Sequence, residues 1–230
     1  MTQKHWSEVF DYRTLRLLIG LIAFLLPIVA ELLATADIPS ISASYYTEAR
    51  DAFVGMLFIV GAFLWAYNGH SSPQKYSSKV AGIAACFIAI FPTACHLCGT
   101  ENPPSSCVSC ETTLVSIVHY ISAGILFGVL AFFCLGPFRK NTKGKSGNKG
   151  RRAKIYFICG VLMLACIAVA AAANWLLDEA QVKVLRITYW AEFVAMMAFG
   201  IAWFTAGKWI LFVDKEDAVK LFAKNEQAET

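Results

Sequence analysis

Glu31, His119 and Glu192 stand inside long apolar runs of this chain, where a carboxylate or an imidazole is expensive and is commonly kept for a purpose. Such groups can bind a polar headgroup, exchange protons, or serve as acid and base. The segment between the first two apolar runs adds Ser40, Ser42, Ser44, Tyr45, Tyr46, Glu48, Arg50 and Asp51. Arg50 offers a planar guanidinium fork that suits a carboxylate or a phosphate. A second constellation, Cys95, Cys98, Cys107 and Cys110, spells CxxC, eight residues, CxxC.

The elements that must position these residues are membrane helices. With 57% hydrophobic and 16% charged residues over 230 positions, the chain is neither disordered nor an ordinary soluble domain. Hydropathy marks six apolar runs, at about 15–36, 52–67, 80–95, 113–136, 155–177 and 188–208. The connections are too short for a soluble domain, so residues 1–213 are expected to form one all-α, six-helix transmembrane bundle. Long uninterrupted runs exclude a transmembrane β-barrel. The first run follows a charged lead and lacks a small-residue cleavage pattern, so it is expected to persist as a helix of the mature protein.

Lys and Arg fix the expected orientation. Seventeen fall on one side, in the lead, the second connection, residues 137–154 and the tail; Arg50, Lys183 and Arg186 fall on the other. Both termini are therefore expected in the cytoplasm. The basic stretch 139–154 is expected to touch anionic headgroups, and it lacks the aromatic elements of a nucleic-acid binder. Residues 214–230 place Ala218, Leu221 and Phe222 on one helical face, a short amphipathic cytoplasmic tail. Cys166 to Asn174, CIAVAAAAN, reads as a small-residue seam for close packing of a neighbouring helix.

On this topology the three intramembrane groups share a level. At the rise of an α-helix, His119 lies roughly 9 Å, Glu31 roughly 8 Å and Glu192 roughly 6 Å below the outer interface. With Ser40, Ser42, Tyr46, Arg50 and Asp51 above them, they outline a polar pocket open to the outer leaflet. The same residues also allow a plain structural use, with His119 bonded to Glu192 and Glu31 paired with Arg50. Tyr189 and Trp190 read as members of the interfacial aromatic belt. One span histidine is thin for a metal site, and the sequence calls for no cofactor.

Placed outside, the four cysteines of the 96–112 loop and its edge favour two disulfides over a zinc ribbon or a redox dithiol. Three connectivities satisfy the sequence. Cys86, Cys134, Cys159 and Cys166 read as small packing residues in spans.

Pro39-Ser40-Ile41-Ser42, Arg50-Asp51-Ala52-Phe53 ahead of an aromatic-rich second span, His119 with Ser122-Ala123-Gly124, and Ala191-Glu192-Phe193 together form a pattern. It resembles the six-span FRAG/DRAM/Sfk superfamily and its uncharacterised bacterial branch. The resemblance implies a bacterial inner-membrane protein that binds or handles lipid. Arg50 would then face an anionic headgroup, with His119 and Glu192 as the floor of the pocket. Three other readings remain open: a lipid hydrolase or acyltransferase with His119 as base and Glu192 as its orienter; a proton- or ion-coupled carrier titrating Glu31 and Glu192; and an assembly or sensor protein acting through its stapled external loop.

Overall fold

A computed structural model of the chain describes residues 12–35, 37–69, 71–95, 107, 113–140, 142–144, 147–177 and 179–208. The 214–230 tail, most of the 96–112 loop, and Cys98 and Cys110 with it, lie outside the described residues. The described residues are helical, with no strand among them. They form α1 (Tyr12–Leu33), a 3-10 turn (Ser42–Tyr46), α2 (Arg50–Ala66), α3 (Ser72–Ile90), α4 (Leu114–Leu135), α5 (Pro137–Lys140), α6 (Gly147–Leu176), α7 (Glu179–Leu185) and α8 (Ile187–Ala206).

Four helical segments are long and apolar enough to cross a bilayer: Arg13–Leu33, Leu114–Lys140, Gly147–Ala173 and Ile187–Ala206. This is a membrane protein by length and composition. α2 is shorter, at 17 residues, and α3 opens on two polar turns containing Gln74, Lys75, Ser78 and Lys79. The limits of α3 follow from two prolines. Pro73 sits in its first turn, where a missing N–H costs nothing. Pro92 forces the preceding Phe91 into extended backbone and stops the helix there. α4 starts on a reciprocal cap, with Thr113 Oγ1 accepting from Ser116 N and Ser116 Oγ accepting from Thr113 N. The basic segment from Gly147 continues without a break into α6.

The six long helices close into a ring, each packed on the next in the order α1, α2, α3, α4, α6, α8 and back to α1. We call the end where α1 finishes and α8 begins the upper end. Glycines set the closest crossings. A Cβ on Gly200 would lie 3.0 Å from the Gly20 carbonyl oxygen and from Phe24 Cβ, and a Cβ on Gly82 would lie 2.8 Å from the Gly61 carbonyl oxygen. Helices without a hydrophobic drive between them gain from such backbone approach.

The lower end is filled by rings. Tyr67, Phe133, Phe138, Phe199 and Trp203 meet edge to face or tilted, with Tyr156 against Phe138. Arg16 lies over Tyr67 and Phe138, donates to the Tyr67 hydroxyl at 2.8 Å, and donates to the Ala206 carbonyl. Arg13 donates to the Gly207 carbonyl at 2.9 Å. Two cations thus satisfy the free carbonyls at the end of α8, where the helix dipole favours positive charge.

Candidate functional site

The upper end is organised by the start of α8. Arg186, the residue before the helix, holds a left-handed backbone conformation (φ 47°) that a residue with a Cβ seldom adopts. Its side chain shows what holds it there. Nη2 donates to both carboxylate oxygens of Glu31, at 3.1 and 2.9 Å, and Nε donates to the Ile38 carbonyl. The guanidinium lies 4.0 Å from the Tyr189 ring centre, and its Nη1 is 4.0 Å from Asp37. Glu31 is therefore paired with Arg186 rather than with Arg50. Tyr189 is buried beneath that cation and its N–H donates to the Pro39 carbonyl, so it is part of the core and not of the aromatic belt. Trp190 is exposed.

One turn further along α8, Glu192 accepts from Ser42 N and from Ser42 Oγ, both at 3.1 Å. Residues 38–42 are thus tied to α8 at Arg186, Tyr189 and Glu192. The rest of this connection is braced internally. Ser40 Oγ accepts from Ala43 N, and the Thr35 hydroxyl donates to Glu48 Oε2 at 2.6 Å, which holds that carboxyl below the usual range. Tyr46 donates to the Thr93 carbonyl at 2.6 Å. Burial, with Tyr45 and Tyr120 nearby, pushes its phenol above the ordinary value.

Beneath this clasp lies a cleft of about 670 Å³. Its walls come from α4 (Tyr120, Ala123, Gly124, Phe127), α6 (Cys166, Ile167, Ala170, Ala171), α8 (Thr188, Ala191, Glu192, Ala195), Val182 of α7, and the segments containing Pro39 to Ala43 and Thr93 to Cys95. Short side chains make the space. Lower down, a Cβ on Gly160 would lie 2.7 Å from Leu135 Cγ, so α4 and α6 are in tight contact there. At Gly124 an added Cβ would meet no atom within 4 Å. The run from Cys166 to Ala171, expected to be a packing seam, instead forms a wall of open space.

His119 is turned elsewhere. It is 2% exposed, and its Nδ1 is 2.8 Å from the Phe91 carbonyl, one of the groups that the end of α3 leaves without a helical partner. It neither meets Glu192 nor lines the cleft, so the expected His119–Glu192 floor is replaced by Glu192 with Ser42. Arg50 stacks on Tyr45, 4.5 Å from the ring centre, and donates to its hydroxyl at 3.0 Å. Asp51 is exposed in the first turn of α2. Of the expected site residues, Ser40 and Glu192 line the cleft, Ser42 clasps Glu192 from above, and Glu31, Tyr46, Arg50, Asp51 and His119 stand outside its lining. Among the described residues no three His, Cys, Asp or Glu side chains gather to hold a metal.

Cys95 and Cys107 form a disulfide with Cα atoms 5.5 Å apart, joining the first cysteine of each CxxC pair. That selects one pairing out of the alternatives and excludes a four-thiolate zinc ribbon. Cys95 also lines the cleft, so the staple fixes part of its wall.

Sequence reasoning counted Arg186 only as an external charge. The available signal was a carboxylate near the top of one span with two unassigned arginines on the same side; choosing between them requires knowing that α1 and α8 are neighbours. No family model, curated protein or solved structure matches this chain.

Proposed function

We propose that this protein is a six-span membrane protein with both termini in the cytoplasm, and that it binds a lipid or lipid-like amphiphile in the cleft at its external end. The observation that carries this reading is the cleft itself: about 670 Å³ of mostly apolar wall with a carboxylate set into it. That volume lies within the range of about 300–1,000 Å³ of pockets that enclose small molecules, and such pockets combine apolar walls with a few placed polar groups.

Six spans follow if α2 and α3 cross as well. Their 17 and 19 residues extend about 25 and 28 Å, close to the hydrocarbon thickness of about 30 Å, and they fill the ring between α1 and α4. The exposed Lys140, Lys143, Lys149, Arg151 and Lys154 gather at the lower end with Arg13 and Arg16, and by the positive-inside rule this supports reading that end as the cytoplasmic one, facing anionic headgroups. The plan is that of the FRAG/DRAM/Sfk-like proteins in the bacterial inner membrane. With His119 spent on the end of α3, the reading rests on binding and assigns no acid–base pair.

Photolabelling in nanodiscs tests it. A photoactivatable single-chain lipid should label the upper halves of α4, α6 and α8. Gly124→Phe, which fills the cleft, should abolish that labelling. Gly128→Phe, also placed where an added Cβ meets nothing but outside the cleft lining, should leave it intact. Equal labelling of both variants would overturn the reading.

A further inference from the structure

We infer that the cleft discriminates by charge: it takes an amphiphile whose head carries hydrogen-bond donors and no net negative charge, such as an ammonium or a hydroxyl group, and it excludes phosphate heads. This rests on the proposed binding role of the cleft and goes further by naming the class of ligand.

Among the described residues that line the cleft, Glu192 is the only acidic or basic one. Oε2 accepts from the Ser42 N–H and Oε1 pairs with the Ser42 hydroxyl, and a cationic donor placed beside the carboxyl would favour its ionised form. Ionised, it has about four acceptor sites, of which Ser42 occupies two and the Ile41 N–H lies close to a third. The remaining lone pairs call for a donor from whatever occupies the cleft.

The two cations of this end whose side chains are described are committed elsewhere. Arg186 is bound to Glu31 and the Ile38 carbonyl, and Arg50 is stacked on Tyr45. Neither contributes to the cleft lining. The other polar groups there are neutral. Tyr120 Oη accepts from Thr93 Oγ1 at 2.9 Å and from Ala94 N at 3.4 Å, which leaves its own hydrogen for a ligand carbonyl or hydroxyl oxygen. An anionic head would meet like charge at this carboxyl, or would have to hold it neutral, with no cation among the described lining residues to compensate it. An ammonium or hydroxyl head gains from the same carboxylate, and its single chain lies along the alanine and glycine wall.

The test is competition against the photoactivatable lipid in nanodiscs of zwitterionic lipid, using three probes of equal chain length: a monoacylglycerol, an alkylammonium and an alkyl phosphate. The first two should compete, with the phosphate at least about tenfold weaker. Glu192→Gln, which keeps the shape and one acceptor oxygen, should narrow the ammonium-to-phosphate ratio by about tenfold or more. An alkyl phosphate that competes as well as the alkylammonium in the wild-type protein would overturn the inference without any variant being needed, and so would an unchanged ratio in a folded Glu192→Gln. The two levels separate cleanly: if Gly124→Phe abolishes labelling but the phosphate wins, the cleft binds lipid and only the charge preference is wrong; if Gly124→Phe changes nothing, the binding role itself fails.

Discussion

Two glycines in membrane helices should respond oppositely to the same added methyl group. At Gly200 a Cβ would sit 3.0 Å from the Gly20 carbonyl oxygen and 3.0 Å from Phe24 Cβ, with Phe24 Cα at 3.3 Å. Optimal separation between non-bonded carbons is about 3.5–4.0 Å, so α1 and α8 would have to part by roughly half an ångström along their crossing. Overpacking of this kind costs about 1–3 kcal/mol. At Gly124 nothing lies within 4 Å. Replacing glycine by alanine in a helix gains up to about 1 kcal/mol in backbone entropy, and that term is common to both sites. The difference between the two variants therefore isolates the steric cost: Gly200→Ala should be about 1–3 kcal/mol less stable than Gly124→Ala, which should match or exceed the parent. Equilibrium unfolding in mixed micelles titrated with denaturing detergent measures both. A gap under about 0.5 kcal/mol, the ordinary scatter of independent substitutions, would show that the α1–α8 contact is not a backbone crossing.

The remaining predictions concern the upper end. His119→Ala leaves the Phe91 carbonyl without its partner and should cost about 1–3 kcal/mol while leaving lipid labelling of the cleft unchanged; loss of labelling at full stability would place the imidazole in the site instead. A double-mutant cycle on Glu31 and Arg186 should give a coupling of roughly 1 kcal/mol or less, because the side chains are 39% and 24% exposed, whereas a cycle on Glu31 and Arg50 should give none. Reduction of the Cys95–Cys107 bridge, which spans 12 residues, should lower stability by about 3 kcal/mol, and Cys95→Ser with Cys107→Ser should remove the sensitivity to reductant contributed by this bridge. The Tyr46 phenol is raised, so its neutral form stabilises the fold below the unfolded value near 10, and this contribution is lost as pH rises through the folded value. The late-titrating part of the phenolate absorbance should fall by one tyrosine in Tyr46→Phe.

The long apolar runs were legible because length and hydropathy are local quantities, and the four helices that meet both criteria coincide with expected spans. The limits of α3 were less so, since its polar first turns look like loop until Pro73 is recognised as a helix start. Ser42 and Glu192 were both singled out, but their mutual bond was not, because their separation of 150 positions carries no spacing signal. The CIAVAAAAN run is conspicuous in the sequence, yet it lines open space where close packing is expected. Small residues permit close packing wherever a partner presses on them, and they leave a void wherever the partner's own residues are small; Gly124 and Ala123 opposite Cys166 to Ala171 make the second case. His119 illustrates the same limit, since the carbonyl that claims it exists only because Pro92 ends α3.

Closure of the ring through α1 and α8 carries a consequence for biogenesis. Because α1 is synthesised before α8, it meets this partner only after the helices between them have been made, and the Gly20 face must wait, uncovered, until then. Nascent chains truncated before Ile187 would present that bare groove to the insertion machinery and to membrane proteases, and completion of α8 is the event that withdraws it.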